Sequence, residues 1–515
     1  MRRRIATALS TLCAVCAATF GVGAGVASAE SSGPVTLPAL RQWTAGGDAY
    51  TLRPGSRVVV SSRDAEALAA TAGWFAEDLT GQTGIPVAAV TGEAPGPGDI
   101  QLSIGAVEGV APAEGYRIVV GKSITIRAVT VTGVSHGTQS VLQWLRQGRT
   151  VAGGTATDWP AYPERGLLLD VGRQYMSLPW LRQRIRELAY LKLNYLHLHL
   201  SDWYGFRLQS STHPEVVSPQ HYTKAQLREL IGYAARYHVR VVPEIDMPGH
   251  MDPILAAHPE LKLVDRNGTV SNSFIDLSKP AAYALMKDLI TEFMPVFPIR
   301  TWHIGGDEYV TNYDDYPQLA AYAKTRYGPG ATGRDAYYGF LNWAAGIVRA
   351  AGEQPRIWND GLKPGGATLT IDSDIVVEHW SASGPGGFPW SGPAYNGQQL
   401  VDQGHLVSNM PFTPAYYTTG GPASLFNMPP SAMYDAWEPN TFVDGTRLTD
   451  ATKARNLGSR VALWCDEPNT HTEAQLATVL RERLRVMAQQ TWGSRKPPAY
   501  LAFIPVMQAV GDPPR

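Results

Sequence analysis

Residues 179–202 read Pro-Trp-Leu-Arg-Gln-Arg-Ile-Arg-Glu-Leu-Ala-Tyr-Leu-Lys-Leu-Asn-Tyr-Leu-His-Leu-His-Leu-Ser-Asp. From Pro179 to Leu191 the apolar residues Trp180, Leu181, Ile185 and Leu188 fall at helical spacing, with Arg and Glu between them. From Tyr195 to Leu200 the period changes to two, with leucines on one face and His197 and His199 on the other. An acid, Asp202, closes the strand. A helix that feeds a strand through a short link, with a chemically active group at the strand's end, is one unit of an α/β fold.

The unit repeats. Short β runs are expected at Gly166–Val171, Tyr195–Leu200, Val239–Ile245, Thr301–Ile304, Arg356–Trp358, Ile375–His379, Leu406–Ser408 and Arg460–Trp464. Helical patterns lie between many of them, as at Lys224–Tyr237 and Ala281–Phe293. Eight βα units spread over residues 161–515 predict a (β/α)8 TIM barrel, whose chemistry is expected at the C-terminal ends of the strands. Residues 30–160 predict a small α+β domain ahead of it. There Arg57–Val60 reads as a strand and Asp64–Thr80 as a helix capped by Asp64. Gly115–Ile126 reads as a hairpin turning at Gly121-Lys122, Val134–Arg146 as a second helix, and the Gly-rich segment Thr150–Thr157 as the boundary.

Residues 1–29 have the form of an export signal. Arg2, Arg3 and Arg4 precede an apolar run, and Ala27-Ser28-Ala29 offers small residues for cleavage. Removing this segment removes Cys13 and Cys16 and leaves Cys465 alone, so no intrachain disulfide is expected. A secreted protein is the expectation. The 515 residues carry a net charge of −1 with Lys and Arg dispersed, which excludes a nucleic-acid footprint and a polybasic membrane patch. The 14 Trp and 23 Tyr suit a sugar ligand, because flat rings cover the apolar faces of pyranosides.

The strand ends carry acids. Asp202 follows the second strand, Glu244 and Asp246 close the third, Asp307 and Glu308 follow the fourth, and Asp466 follows the eighth. Trp358, Trp380 and Trp464 add rings at the fifth, sixth and eighth. Carboxyl groups ringed by indoles are what cleavage of a glycosidic bond requires.

Trp302-His303-Ile304-Gly305-Gly306-Asp307-Glu308 resembles the catalytic signature of glycoside hydrolase family 20, the β-N-acetylhexosaminidases. Arg165-Gly166-Leu167-Leu168-Leu169-Asp170-Val171, Leu196-His197-Leu198-His199-Leu200-Ser201-Asp202 and Pro243-Glu244-Ile245-Asp246-Met247-Pro248-Gly249-His250 resemble its first three strands, in order. The resemblance implies removal of β-linked N-acetylhexosamine with retention, the substrate's own 2-acetamido oxygen acting as nucleophile. It makes Glu308 the general acid and then base, and makes Asp307 the ionised partner of the acetamido N–H. On that division Asp307's charge is expected to raise Glu308 toward the working range.

The remaining assignments follow from the same resemblance. Arg165 would hold sugar hydroxyls, and Asp202 with His250 would support the acid. Trp358, Trp380 and Trp464 would wall the pocket, and Tyr416 or its neighbour Tyr417 would bond the acetamido oxygen. Glu244, Asp246, His303 and Asp466 complete the substrate-binding set. No cofactor or metal is implied, and an oligosaccharide or glycoconjugate is the expected partner.

Two departures bear on specificity. Trp464-Cys465-Asp466 stands where the family has Trp-x-Glu, and Thr418 stands near an expected Asp. Shortened acids resemble the lacto-N-biosidases of the same family, which release a galactosyl-N-acetylglucosamine disaccharide. Competing readings are a metal pair at His197 and His199, joined by His250 or His303, and a non-catalytic sugar-binding barrel.

Overall fold

A computed structural model describes residues 33–110, 113–383 and 393–514, and Gly33 to Arg515 form one compact unit. The export-type segment, with Cys13 and Cys16, lies outside the described residues.

Eight parallel strands close into a barrel: Glu164–Asp170, Tyr195–His199, Arg240–Glu244, Thr301–His303, Gln354–Trp358, Val376–His379, Val407–Asn409 and Asn456–Trp464, the first pairing with the eighth. Every expected strand is present, shifted by a few residues at most. The helices between them form for readable reasons. Leu178–Tyr190 starts at Ser177, whose hydroxyl accepts the Trp180 amide. It buries Trp180, Leu181, Ile185 and Leu188, each such side chain contributing about 1.5–3 kcal/mol. Lys224–Arg236 opens with a reciprocal capping box between Thr223 and Gln226.

The expected eight βα units are not all complete. No helix lies between the fifth and sixth strands, where residues 359–375 run irregularly and Gly365 and Gly366 adopt φ of 69° and 75°. The seventh position is shared by two short strands. Val407–Asn409 pairs beside Asn456–Ser459, and after residues 410–415 the strand Tyr416–Thr418 pairs beside Ala462–Trp464. That second strand carries Tyr416 to the top of the barrel.

The lower barrel is filled with charge, where such barrels more often stack branched aliphatics. Arg356 donates to both oxygens of Glu164 at 2.9 and 2.6 Å and to Glu378 at 2.7 Å. Arg460 pairs with the other oxygen of Glu378. All four side chains are buried.

The preceding domain is a seven-stranded mixed sheet with helices Ala65–Thr83 and Val131–Gln147 packed on it. The hairpin turns at Gly121, as read from sequence. Asp64 does sit at the start of its helix, but its carboxylate makes no cap bond there and instead accepts from Ser61 and Arg63. This domain docks against the N-terminal end of the barrel. Glu114 accepts from Arg165 at 2.5 Å and from Asn194 at 3.0 Å, Gln143 donates to the Tyr190 carbonyl at 2.8 Å, and Asp158 accepts from Trp492 at 2.8 Å. Arg165 therefore cannot hold sugar hydroxyls. It starts the first strand, so it lies at the end of the barrel opposite the strand termini, buried among Glu114 and the Tyr162 and Lys192 carbonyls.

Candidate active site

At the C-terminal end of the strands a cleft of about 250 Å³ opens among Asp307, Glu308, His250, Arg173 and Asp466, walled by Trp358, Trp380, Trp464, Tyr416 and Phe412. Its floor follows from two glycines. Gly305 and Gly306 take φ of 86° and 102°, and a Cβ on Gly305 would stand 1.8 Å from an Asp246 oxygen. Only glycine permits that approach. Asp246 accepts the Gly306 amide at 3.2 Å and fixes the turn that presents Asp307 and Glu308. Glu308 itself sits at φ 50°, a conformation costing about 1–3 kcal/mol for a residue with a side chain. Its amide donates to Asp360 at 2.9 Å, which holds it there.

A hydrogen-bonded chain runs beneath the acid. His250 faces Glu308 at 3.4 Å and Asp307 at 3.5 Å through Nε2, and meets Asp202 at 3.1 Å through Nδ1. Asp202 also receives Arg173 at 3.0 Å and His199 at 2.7 Å, and His199 in turn reaches Glu244 at 2.6 Å. Glu244 accepts the indole N–H of Trp358 at 2.6 Å. One buried carboxylate thus ties the acid's support to the pocket wall. Trp380 is tied in the same way, donating to Asp360 at 3.1 Å and stacking on Tyr416 at 12° between ring planes.

Electrostatics follow from these neighbours. Burial pushes Asp202 up, but Arg173 and His250 more than offset it and hold the carboxylate ionised well below its usual range. Burial disfavours a cationic His250, yet Asp202 and Asp307 raise it well above the usual imidazole range. Asp307 and Glu308 depart from expectation. Burial and the nearby Asp246 charge raise Asp307 well above a normal carboxyl, whereas for Glu308 the burial effect is outweighed by His250 and Arg173, leaving it below. In the free protein Asp307 therefore has the higher proton affinity of the two. Burial raises both carboxyls, and the difference comes from the cations His250 and Arg173, which outweigh burial only at Glu308. Asp307 Oδ1 is buried without a hydrogen-bond partner among the described residues.

Of the residues read from sequence, Asp307, Glu308, His250, Trp358, Trp380, Tyr416, Trp464 and Asp466 line the cleft. Asp202, Glu244, Asp246 and His303 are wholly buried beneath it, so they position groups and do not touch a ligand. Tyr417 points elsewhere, its hydroxyl 3.3 Å from His471 and its ring under Arg483. Adjacent residues on a strand face opposite ways, which separates the two tyrosines.

Arg173 and Asp360 were not singled out. Each lies at the same strand ends as the acids, two residues beyond Val171 and Trp358, so the rule that found Asp202 reaches them once applied to every polar residue. The metal reading of His197 and His199 does not fit. His199 spends both ring nitrogens on Glu244 and Asp202, and those carboxylates hold it protonated against the effect of burial.

Comparison with known proteins gives the family. Residues 162–495 match the model for glycosyl hydrolase family 20, catalytic domain, and residues 34–159 match that for glycosyl hydrolase family 20, domain 2. The chain is 34% identical to lacto-N-biosidase from Bifidobacterium bifidum over 470 residues, covering 90% of this chain and 40% of that protein. It is 27% identical to β-N-acetylhexosaminidase from Cellulomonas fimi over 477 residues, covering 87% and 88%. Among solved structures, a family 20 β-N-acetylhexosaminidase from Streptomyces coelicolor superposes with a TM-score of 0.71 at 26% identity, covering 92% of this chain and 96% of that one. The chain belongs to glycosyl hydrolase family 20, with that family's domain 2 ahead of its catalytic barrel.

Proposed function

We propose that the protein hydrolyses β-linked N-acetylhexosaminides at non-reducing ends, with retention, through participation of the substrate's 2-acetamido group. The observation that carries this reading is the buried, unpartnered Oδ1 of Asp307 in a cleft walled by three indoles and Tyr416. A buried acceptor without a donor is costly unless a ligand supplies one, and an acetamido N–H does.

Substrate entry would move the proton where it is needed. An amide N–H on Asp307 favours its anion, while the sugar displaces water from the more exposed Glu308 and raises its proton affinity. Glu308 then protonates the glycosidic oxygen as the acetamido oxygen, steadied by Tyr416, bonds the anomeric carbon. The C–O bond to the leaving group breaks, and an oxazolinium forms whose positive charge Asp307 balances. Water, deprotonated by Glu308, opens that ring and returns the proton, so configuration at the anomeric carbon is retained.

A second reading is release of a disaccharide. It is supported by Asp466, whose shorter side chain stays 3.8 Å from Arg173, by Thr418 in place of an acid, and by the match to lacto-N-biosidase over 90% of this chain. The test is hydrolysis of p-nitrophenyl β-N-acetylglucosaminide and β-lacto-N-bioside, by the wild type and Glu308→Gln. Release from the monosaccharide, lost in the variant, supports the first reading, and release from the disaccharide alone supports the second. Release from neither overturns both and favours a sugar-binding role. The Arg2–Ala29 segment supports secretion; recovery of processed protein from the medium of the producing cells tests it, and retention of the full chain inside would count against it.

A further inference from the structure

Away from the cleft, two loops meet at a cluster that the reaction does not use. His213 and Glu215 lie in the segment between the second strand and its helix, and His258 lies just past the short helix Asp252–Ala257 that follows the third strand. His213 Nδ1 and His258 Nε2 approach the same oxygen, Glu215 Oε1, at 3.0 and 2.9 Å. The imidazole and carboxylate ligand atoms of this trio all lie within 4.8 Å of one another. The far nitrogen of each ring also faces an acid: His213 Nε2 stands 3.4 Å from Asp288, and His258 Nδ1 stands 3.4 Å from Glu260.

We propose that His213, Glu215 and His258 bind a divalent transition-metal ion, most naturally Zn²⁺, as a structural clip between these two loops. Three arguments converge. Two imidazoles and a carboxylate form a donor set suited to Zn²⁺, and tetrahedral bonds of about 2.1 Å place neighbouring ligand atoms about 3.4 Å apart. The two contacts to Glu215 need only open by a few tenths of an ångström to meet that spacing.

Second, a carboxylate behind each ring is the arrangement that fixes a metal-binding histidine's tautomer and orientation. Third, Glu215, Asp288 and Glu260 bring three carboxylates around two imidazoles, a charge that a divalent ion would balance. With an ion seated between the three ligands, the inner nitrogens would bind it and the outer nitrogens would face Asp288 and Glu260. The backbone holds both histidines in place, since the His213 amide donates to Ser210 Oγ at 2.9 Å and the His258 amide to the Ile254 carbonyl at 3.0 Å.

The clip would join the two loops at their outer ends. At their inner ends Trp203 and His250, one from each loop, stack with 18° between ring planes. The site is solvent-accessible and lies outside the catalytic machinery, so its role is to restrain the loops.

The test is calorimetric titration of ZnCl2 into chelator-treated full-length protein, with melting temperatures recorded in parallel. Expected are one Zn²⁺ per chain, a rise in melting temperature on binding, and loss of both in His213→Ala/His258→Ala. Asp288→Asn, which keeps all three ligands, should weaken binding about 10–100-fold. Co²⁺ in place of Zn²⁺ should give the visible absorption of a tetrahedral N/O site in the wild type and Asp288→Asn but not in the double variant. No stoichiometric binding by the wild type, or binding unchanged in a folded double variant, would overturn the proposal.

Discussion

In the lower barrel Glu164 and Glu378 are matched by Arg356 and Arg460, whereas at the mouth Asp202, Asp246, Asp307, Glu308, Asp360 and Asp466 share Arg173, His250 and His199. Both levels bury charge, and the outcomes differ. Below, the two guanidiniums more than offset burial and hold Glu378 far below the usual carboxyl range. Above, the result is split: Arg173 and His250 outweigh burial and hold Asp202 and Glu308 below the usual carboxyl range, while burial pushes Asp246 up to about 7, Asp466 to about 6, and Asp360 and Asp307 well beyond normal. A matched set of ions makes a rigid plug. An unmatched set makes groups that exchange protons near neutral pH, which is what acid–base chemistry needs. Glu244 joins the two levels, because it contacts His197 and His303 below, and His199 and the Trp358 indole at the mouth.

Breaking each level should therefore fail in a different assay. Glu308→Gln removes the proposed proton donor at the mouth, and turnover is expected to fall by about 10²–10⁴-fold with an unchanged melting temperature. Initial rates on the p-nitrophenyl substrate, set beside a thermal melt, check it. Arg356→Met at the lower level should do the reverse. It strands Glu164 and Glu378 in the core without their shared partner, and about 3–5 kcal/mol of stability is expected to go. A shift in the urea midpoint would report that loss. A variant that unfolds at the wild-type midpoint would mean that the column is not what holds the lower barrel.

The difference between the levels also sets what could be read from sequence. The eight strands were legible because each is a short apolar run, most with an acid or an indole at the end, and the Gly-Gly-Asp-Glu turn because steric need and chemistry coincide there. The missing helix after the fifth strand was signalled by Gly365-Gly366 but masked by the expectation of a regular repeat. The charged column was not legible. Glu164, Arg356, Glu378 and Arg460 are distant in sequence, and an isolated acid or base in a strand pattern normally reads as solvent-facing. Arg165 misled for a related reason: position within a strand decides which end of a barrel a residue serves, and Arg165 begins its strand while Arg173 follows its end. Proton placement at Asp307 and Glu308 depended on His250 and Arg173, whose distances no linear pattern encodes.

The seventh barrel position offers a finer contrast. Tyr416 lines the cleft and stacks on Trp380, and its neighbour Tyr417 faces His471. Tyr416→Phe is expected to lower kcat/KM by about 10–100-fold, the value of one hydrogen bond to a group developing charge. Tyr417→Phe should leave it unchanged. Equal losses in the two variants would place the acetamido oxygen elsewhere.

The smallest expected effect concerns stability at the mouth. Asp466 has its carboxyl raised to about 6 by burial, with Arg173 pulling the other way and Asp170 and Asp202 adding to the rise. The unfolded chain releases the same proton near pH 4. The folded protein therefore holds the proton more tightly, so stability is highest below pH 4 with respect to this group and is lost as pH rises through 6. Asp466→Asn cannot ionise and escapes that loss. Relative to the wild type it should gain about 1–2 kcal/mol at pH 8 and nothing at pH 4. Denaturant unfolding at the two pH values measures the difference directly. A gain that is the same at both would show that the asparagine stabilises by packing, and the mouth would then owe less to its excess of acid than the comparison with the lower barrel implies.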